Sequence, residues 1–199
     1  MTCHLQMQLL FTKIKPPIKS GRSVEETMSL DSASDELRET FKRALRRFPA
    51  AVSVITSADQ NRRHGMTATA VTSLSLDPPS LIVCVNQQTL LHDIMLLARR
   101  FCVNVLRRDQ ITLSSAFSGA VPSDERFGLG DWMTSPEGVT YLADAQINIF
   151  CKKAAAVPYG THTIFIGEAE TVNVRDPIEP LIYQDATYCF SVPHDSQAA

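Results

Sequence analysis

Gly65-Met-Thr-Ala-Thr-Ala-Val-Thr-Ser-Leu-Ser-Leu-Asp-Pro-Pro-Ser-Leu-Ile-Val-Cys-Val-Asn86 decides how the chain is read. It reads as two strands joined by a tight turn. Thr67, Ala68, Thr69, Ala70, Thr72, Ser73 and Ser75 are too small to fill a core. They suit a strand that brings backbone and hydroxyl groups close to a flat ligand. Asp77-Pro78-Pro79 turns the chain, because proline presets φ and removes a ladder donor. Leu81 to Val85 is a continuous apolar run of the buried-strand type, and it ends in the polar group Asn86-Gln87-Gln88-Thr89, where a polar ligand could be held.

Upstream, Leu37, Phe41, Ala44, Leu45 and Phe48 recur at helical spacing behind a Ser32/Asp35 capping box. This predicts a helix over 34–48 that Pro49 stops, with Lys42, Arg43, Arg46 and Arg47 on its solvated face. Residues 52–57 read as a strand. Downstream, Thr89 can cap a helix over 90–100, and residues 101–106 read as a buried strand. Asp109 can cap a shorter helix through Phe117. Residues 118–138, with the only tryptophan, Trp132, are the longest irregular segment. The β-branched and aromatic segments 145–155, 161–174, 181–183 and 187–190 make the end strand-rich. Many closely spaced strands, three helices and no βαβ alternation predict a mainly β fold with helices, an antiparallel barrel. His64 and His92 are expected at the surface.

The 199 residues, 44% hydrophobic, suit one globular domain over 32–192. Residues 1–31 read as a disordered extension and 193–199 as a flexible tail. A net charge of −2 provides no basic footprint for nucleic acid. Five widely spaced cysteines without CxxC pairing point to reduced thiols in a cytoplasmic protein and to no zinc site. No apolar run reaches the roughly 18 residues of a membrane span. Gly128-Leu129-Gly130 lacks the third glycine and the strand-to-helix setting of a dinucleotide fingerprint. Phosphate-loop, HExxH and GxSxG motifs are missing as well.

A series of short motifs runs in order through the chain. It comprises residues 49–56, Gly65-Met66-Thr67-Ala68-Thr69, residues 72–79, Val83-Cys84-Val85-Asn86, residues 101–106, Arg126-Phe127, His162-Thr163, residues 165–168 and residues 180–183. Together these resemble the short-chain flavin reductases, the reductase components of two-component flavin monooxygenases, over about residues 37–190. The resemblance implies an FMN-binding split β-barrel that uses NADH or NADPH to reduce FMN or FAD, forms a homodimer and hands reduced flavin to an oxygenase component. A flavin carries its own hydride chemistry, which accounts for the missing catalytic motifs.

By the same resemblance, Met66, Thr67, Ala68 and Thr69 would lie along the flavin ring, and Cys84, Val85 and Asn86 would flank the ring and ribityl chain. Ser73 and Thr89 would meet phosphate, Thr89 with the support of a helix N-terminus. Arg126 would contact flavin or nicotinamide. His162 would contact the nicotinamide or the reacting edge of the flavin, although Thr161 stands where the family pattern has an acidic residue. Each residue also has a plainer reading. The threonines could be ordinary strand residues, Asn86 a turn residue, Thr89 only a cap, Cys84 a core thiol, Arg126 half of a surface ion pair and His162 structural. The alternative for the whole protein is a non-catalytic flavin carrier or redox sensor on the same fold.

Overall fold

A computed structural model describes residues 24–60 and 62–192, with side chains from residue 34 onward. In chain order the elements are α1 (Val24–Leu45), β1 (Ala50–Ala51), β2 (Ser53–Ala58), β3 (Arg63–Ala68), β4 (Val71–Leu76), β5 (Pro79–Asn86), α2 (Leu90–Leu97), β6 (Arg100–Val105) and α3 (Ile111–Ser115). A π-helical turn (Ala116–Ala120) and a 3-10 turn (Arg126–Gly128) follow, then β7 (Trp132–Thr134), β8 (Thr140–Leu142), β9 (Ile147–Tyr159), β10 (His162–Val174), β11 (Leu181–Gln184) and β12 (Thr187–Phe190). The fold is mainly β with few helices, and every strand pairing is antiparallel.

Seven strands form the main sheet in the order β3-β2-β6-β9-β10-β5-β4. Its two edge strands, β3 and β4, are consecutive in the chain and joined only by Thr69 and Ala70. Laid flat, six gaps of ~4.8 Å would part these edges by about 29 Å. Three Cα steps from Ala68 to Val71 span about 11 Å at most. The sheet therefore curls until its edges face each other. No ladder pairs β3 with β4, so the curl is not closed by hydrogen bonds.

Helix α2 packs on β2, β3 and β5. Leu91 and Met95 join Ile55, Val83, Val85, Phe101, Val103 and Phe165 in the principal core. A second core of Val52, Val54, Leu106, Leu113, Phe117, Leu142 and Leu181 fastens α3, the β7–β8 hairpin and the β1-β11-β12 sheet to the main sheet. Between them lies a polar hub at the fully buried Asn104. Its Nδ2 donates to Val54 O at 2.8 Å and Thr56 Oγ1 at 3.1 Å, while Oδ1 accepts from Leu142 N at 2.9 Å and Asn148 Nδ2 at 3.0 Å.

Several expectations shift. The opening stretch forms three strands, because the chain leaves one sheet edge after Ala68 and starts the other at Val71. Helix α1 begins at Val24 and ends at Leu45, so Ser32 and Asp35 are interior, no capping box stands there, and residues 24–31 are helical. The rest of the expected extension, 1–23, and the tail, 193–199, lie outside the described residues. Thr89 does cap α2, which stops at Leu97. Gln110, not Asp109, precedes α3. The irregular segment 118–138 contains the 3-10 turn and strand β7, whose Trp132 ring packs on Phe117 and Phe127. His64 and His92 are buried, each 8% exposed.

Gly167 is the tightest point of β10. A methyl group there would meet the Phe101 ring and stand 2.8 Å from Cys151 Cβ, whereas at Gly128 it would meet nothing within 4 Å. Gly167→Ala should cost about 1–3 kcal/mol by overpacking. Gly128→Ala should leave stability nearly unchanged, with both measured by urea unfolding.

Candidate functional site

Strand alternation sorts the predicted residues. On β5, Leu81, Val83 and Val85 face the core, while Ile82, Cys84 and Asn86 point outward. On β10, Thr163, Phe165 and Gly167 face inward, and His162, Ile164 and Ile166 outward. The register pairs His162 with Asn86 and Tyr159, Ile164 with Cys84 and Val157, and Ile166 with Ile82 and Ala155. Cys84, Asn86 and His162 thus share one outer face. Ile82, Cys84, Ile164 and Ile166 are half-buried there, and Val157 and Tyr159 are 48% and 82% exposed.

The seam borders this face. Ala70 O accepts from Cys84 N at 3.0 Å, and Thr69 O from Val71 N at 3.0 Å. Thr69 is half-buried and Ala70 exposed, so the seam presents small groups and peptide edges beside Cys84. The polar rim is built by residues 86–89. Asn86 Oδ1 accepts from Gln88 N at 2.8 Å. Thr89 Oγ1 donates to Asn86 O at 2.8 Å and accepts from His92 N at 3.3 Å. Its hydroxyl is spent as a cap on His92 N, which leaves the Leu90 and Leu91 N–H groups at the start of α2 for an anion. His162 stands at the head of β10, its Nδ1 2.8 Å from Thr161 Oγ1. Burial lowers its pKa, so the ring is neutral at neutral pH. Burial also raises the Cys84 thiol, which keeps it protonated and poor as a nucleophile.

The side chains of other predicted residues lie elsewhere. Met66, Ala68 and Val85 turn their side chains into the principal core, so only their backbone could border a ligand. Thr67 is buried, with its hydroxyl donated to Ser114 O at 2.7 Å. Ser73 is exposed, but it pairs with Leu81 and so lies on the sheet face opposite to Cys84. Arg126 sits near the other end of β3, its Nε bound to Val121 O at 2.9 Å and its charge beside His64. His64 and Thr69 are about 16 Å apart along the strand direction at ~3.3 Å per residue. Gln87, His92 and Thr163 were missed. Gln87 was visible only as part of a polar group, and the pairing of His92 with Thr163 at 3.0 Å spans 71 residues of sequence.

A half-apolar strip of Ile82, Cys84 and Ile164, a small-residue seam at one side and a hydroxyl- and amide-rich rim at one end fit a flat cofactor with a polar tail. The family description "Flavin reductase like domain" matches residues 45–191. The chain belongs to this flavin reductase family. It is 48% identical over 163 residues, 81% of this chain and 91% of the relative, to the reductase component of the FADH(2)-dependent resorcinol hydroxylase of Rhizobium sp. (strain MTP-10005). It is 37% identical, over 82% of this chain and 93% of the relative, to the FMN reductase (NADH) RutF of Stutzerimonas stutzeri (strain A1501). The NADH:FAD oxidoreductase SgcE6 of Streptomyces globisporus C-1027, solved with NAD and FAD fragments, is similar at a TM-score of 0.74 and 28% identity, covering 79% of this chain and 94% of that one.

Burial and the Arg126 charge lower the His64 pKa to about 4. Above pH ~6.5 the residue is neutral in both folded and unfolded chains and adds no pH dependence. Between ~6.5 and about 4 the unfolded chain takes up a proton that the folded one refuses, so stability falls as pH falls. At ~1.4 kcal/mol per pH unit this amounts to at most about 3.5 kcal/mol. His64→Leu should remove that part of the slope, read as the difference between the variant and parent curves of unfolding free energy against pH.

Proposed function

We propose that this protein is an NADH- or NADPH-dependent flavin reductase that reduces FMN or FAD and supplies the reduced flavin to a partner monooxygenase. The observation that carries the reading is the shared outer face of Cys84, Asn86 and His162 beside the Thr69–Ala70 seam, in a chain of this family. Bound flavin would accept a hydride, two electrons and one proton, from the dihydronicotinamide, and a further proton from solvent would complete the reduced flavin. The chain's own contribution is placement. The seam and Cys84 border the ring, the 86–89 rim and the start of α2 hold the phosphate end, and His162, neutral and held by Thr161, faces the nicotinamide. Among the described residues, Cys84, Cys102, Cys151 and Cys189 are free thiols, which supports a reducing, cytoplasmic setting.

The site is completed by a second copy of the chain, on a split-barrel protomer. The half-apolar face around Ile164 and Val157 would leave a flat ligand covered on one side only, and large apolar side chains such as Val157, Tyr159 and Val174 are strongly exposed. Light scattering should show a dimer for the parent protein, and Val157→Lys should weaken it while leaving the monomer folded. A parent monomer that binds flavin would remove the dimer reading.

The purified protein should oxidise NADH or NADPH only when FMN or FAD is present. Steady-state rates with each nicotinamide and flavin pair provide the check. Tight flavin binding without turnover on any pair would turn the reading to a flavin carrier or redox sensor.

A further inference from the structure

Gln87 ties the 86–89 rim to the head of β10. Its backbone N–H donates to Thr161 O at 3.0 Å. Its Nε2 donates to His162 O at 3.0 Å and, more weakly, to Thr163 Oγ1 at 3.5 Å. An amide nitrogen can only donate, so the Thr163 hydroxyl accepts from Gln87 and its own hydrogen is free to be donated to His92 Nε2, 3.0 Å away. That direction places the His92 proton on Nδ1, a buried atom without a hydrogen-bond partner, 3.6 Å from Asp93 Oδ1. Thr163 and His92 are 3% and 8% exposed, and the His92 ring packs edge-on against Phe165 at 5.8 Å. Water has little access to compete for these bonds.

We propose that Gln87 is a positioning residue for His162, clamping the head of β10 to the rim through the Gln87–Thr163–His92 chain so that the imidazole keeps its place relative to whatever the rim holds. The clamp acts on the backbone, at the His162 carbonyl and the flanking Thr161 carbonyl, while Thr161 holds the ring itself. Two anchors on adjacent atoms define both where the residue starts and where its ring points. The inference rests on the reading above that His162 faces the nicotinamide. Gln87 touches no reacting atom in this scheme, so its loss should act only through His162.

The experiment has a ligand-free arm and a kinetic arm. In the full-length flavin-free protein, Gln87→Ala and the length-preserving Gln87→Met should both shift the His162 imidazole resonances in NMR spectra and speed amide exchange at residues 162 and 163. Gln87→Glu removes the same donor and should behave alike. In stopped-flow reduction with flavin bound, each variant should slow flavin reduction by roughly threefold to tenfold, as expected when a positioning contact is lost, with flavin affinity little changed. His162→Ala should slow it by roughly tenfold, about 1.4 kcal/mol. In the His162→Ala background, Gln87→Met should add nothing, because both changes remove one effect. Unmoved His162 resonances, or additive effects of the two substitutions, would overturn the clamp alone. An unchanged rate in His162→Ala would instead overturn the reading of His162 on which it rests.

Discussion

Two residues, Thr69 and Ala70, connect the opposite edges of a seven-stranded sheet, and this connection constrains everything else in the molecule. A chain too short to span a flat sheet obliges the sheet to roll. Once rolled, its concave side becomes an apolar interior for Leu91, Met95, Phe101 and Phe165. At the seam β3 and β4 form no ladder with each other, and the Thr69 and Ala70 carbonyls accept instead from Val71 N and Cys84 N. The same smallness that makes 65–75 a poor core strand makes it a good border for a flat ligand.

Inside the rolled sheet, polar groups are tolerated only where they are fully matched. Asn104 uses both ends of its amide to hold β2, the β7–β8 hairpin and β9 in one arrangement, and Thr56 adds a bond to Thr140 O at 2.5 Å. Each partner left unmatched in such a setting would cost about 1–3 kcal/mol. His92 is the exception, with one nitrogen unsatisfied next to an exposed carboxylate. Its position directly behind the head of β10 sets it at the base of the candidate site.

Electrostatics at that site are quiet. His162 is held neutral by burial and the Cys84 thiol is held protonated by burial. A protonated Cys84 thiol is not prepared for nucleophilic attack, and a neutral His162 ring brings no charge into the site. That absence of an activated group agrees with chemistry supplied by a bound cofactor, for which the protein provides shape, hydrogen bonds and orientation. Thr161, in place of the family's acidic residue, fits the same pattern, since a hydroxyl orients the imidazole without adding the charge that would raise its pKa.

Local patterns in the sequence carried the identity of most strands, the cap at Thr89, the turn at Asp77-Pro78-Pro79 and, through an ordered motif series, the family. These depend on neighbours a few residues apart, which a linear reading can inspect. The break at Thr69–Ala70 was not legible, because it comes from which strands end up at the sheet edges. Nor was the inward turn of Met66, Ala68 and Val85, or the outward turn of Cys84 and His162. Strand alternation shows that two sets of side chains exist but not which set meets the core. His64 and His92 read as surface residues because polar side chains usually are, and only packing against Phe165, or beside Arg126, shows otherwise. Sequence alone determined the elements and the ligand class. The tertiary structure decided which of the named residues share a face, because that depends on pairings between strands as far apart in the chain as β5 and β10.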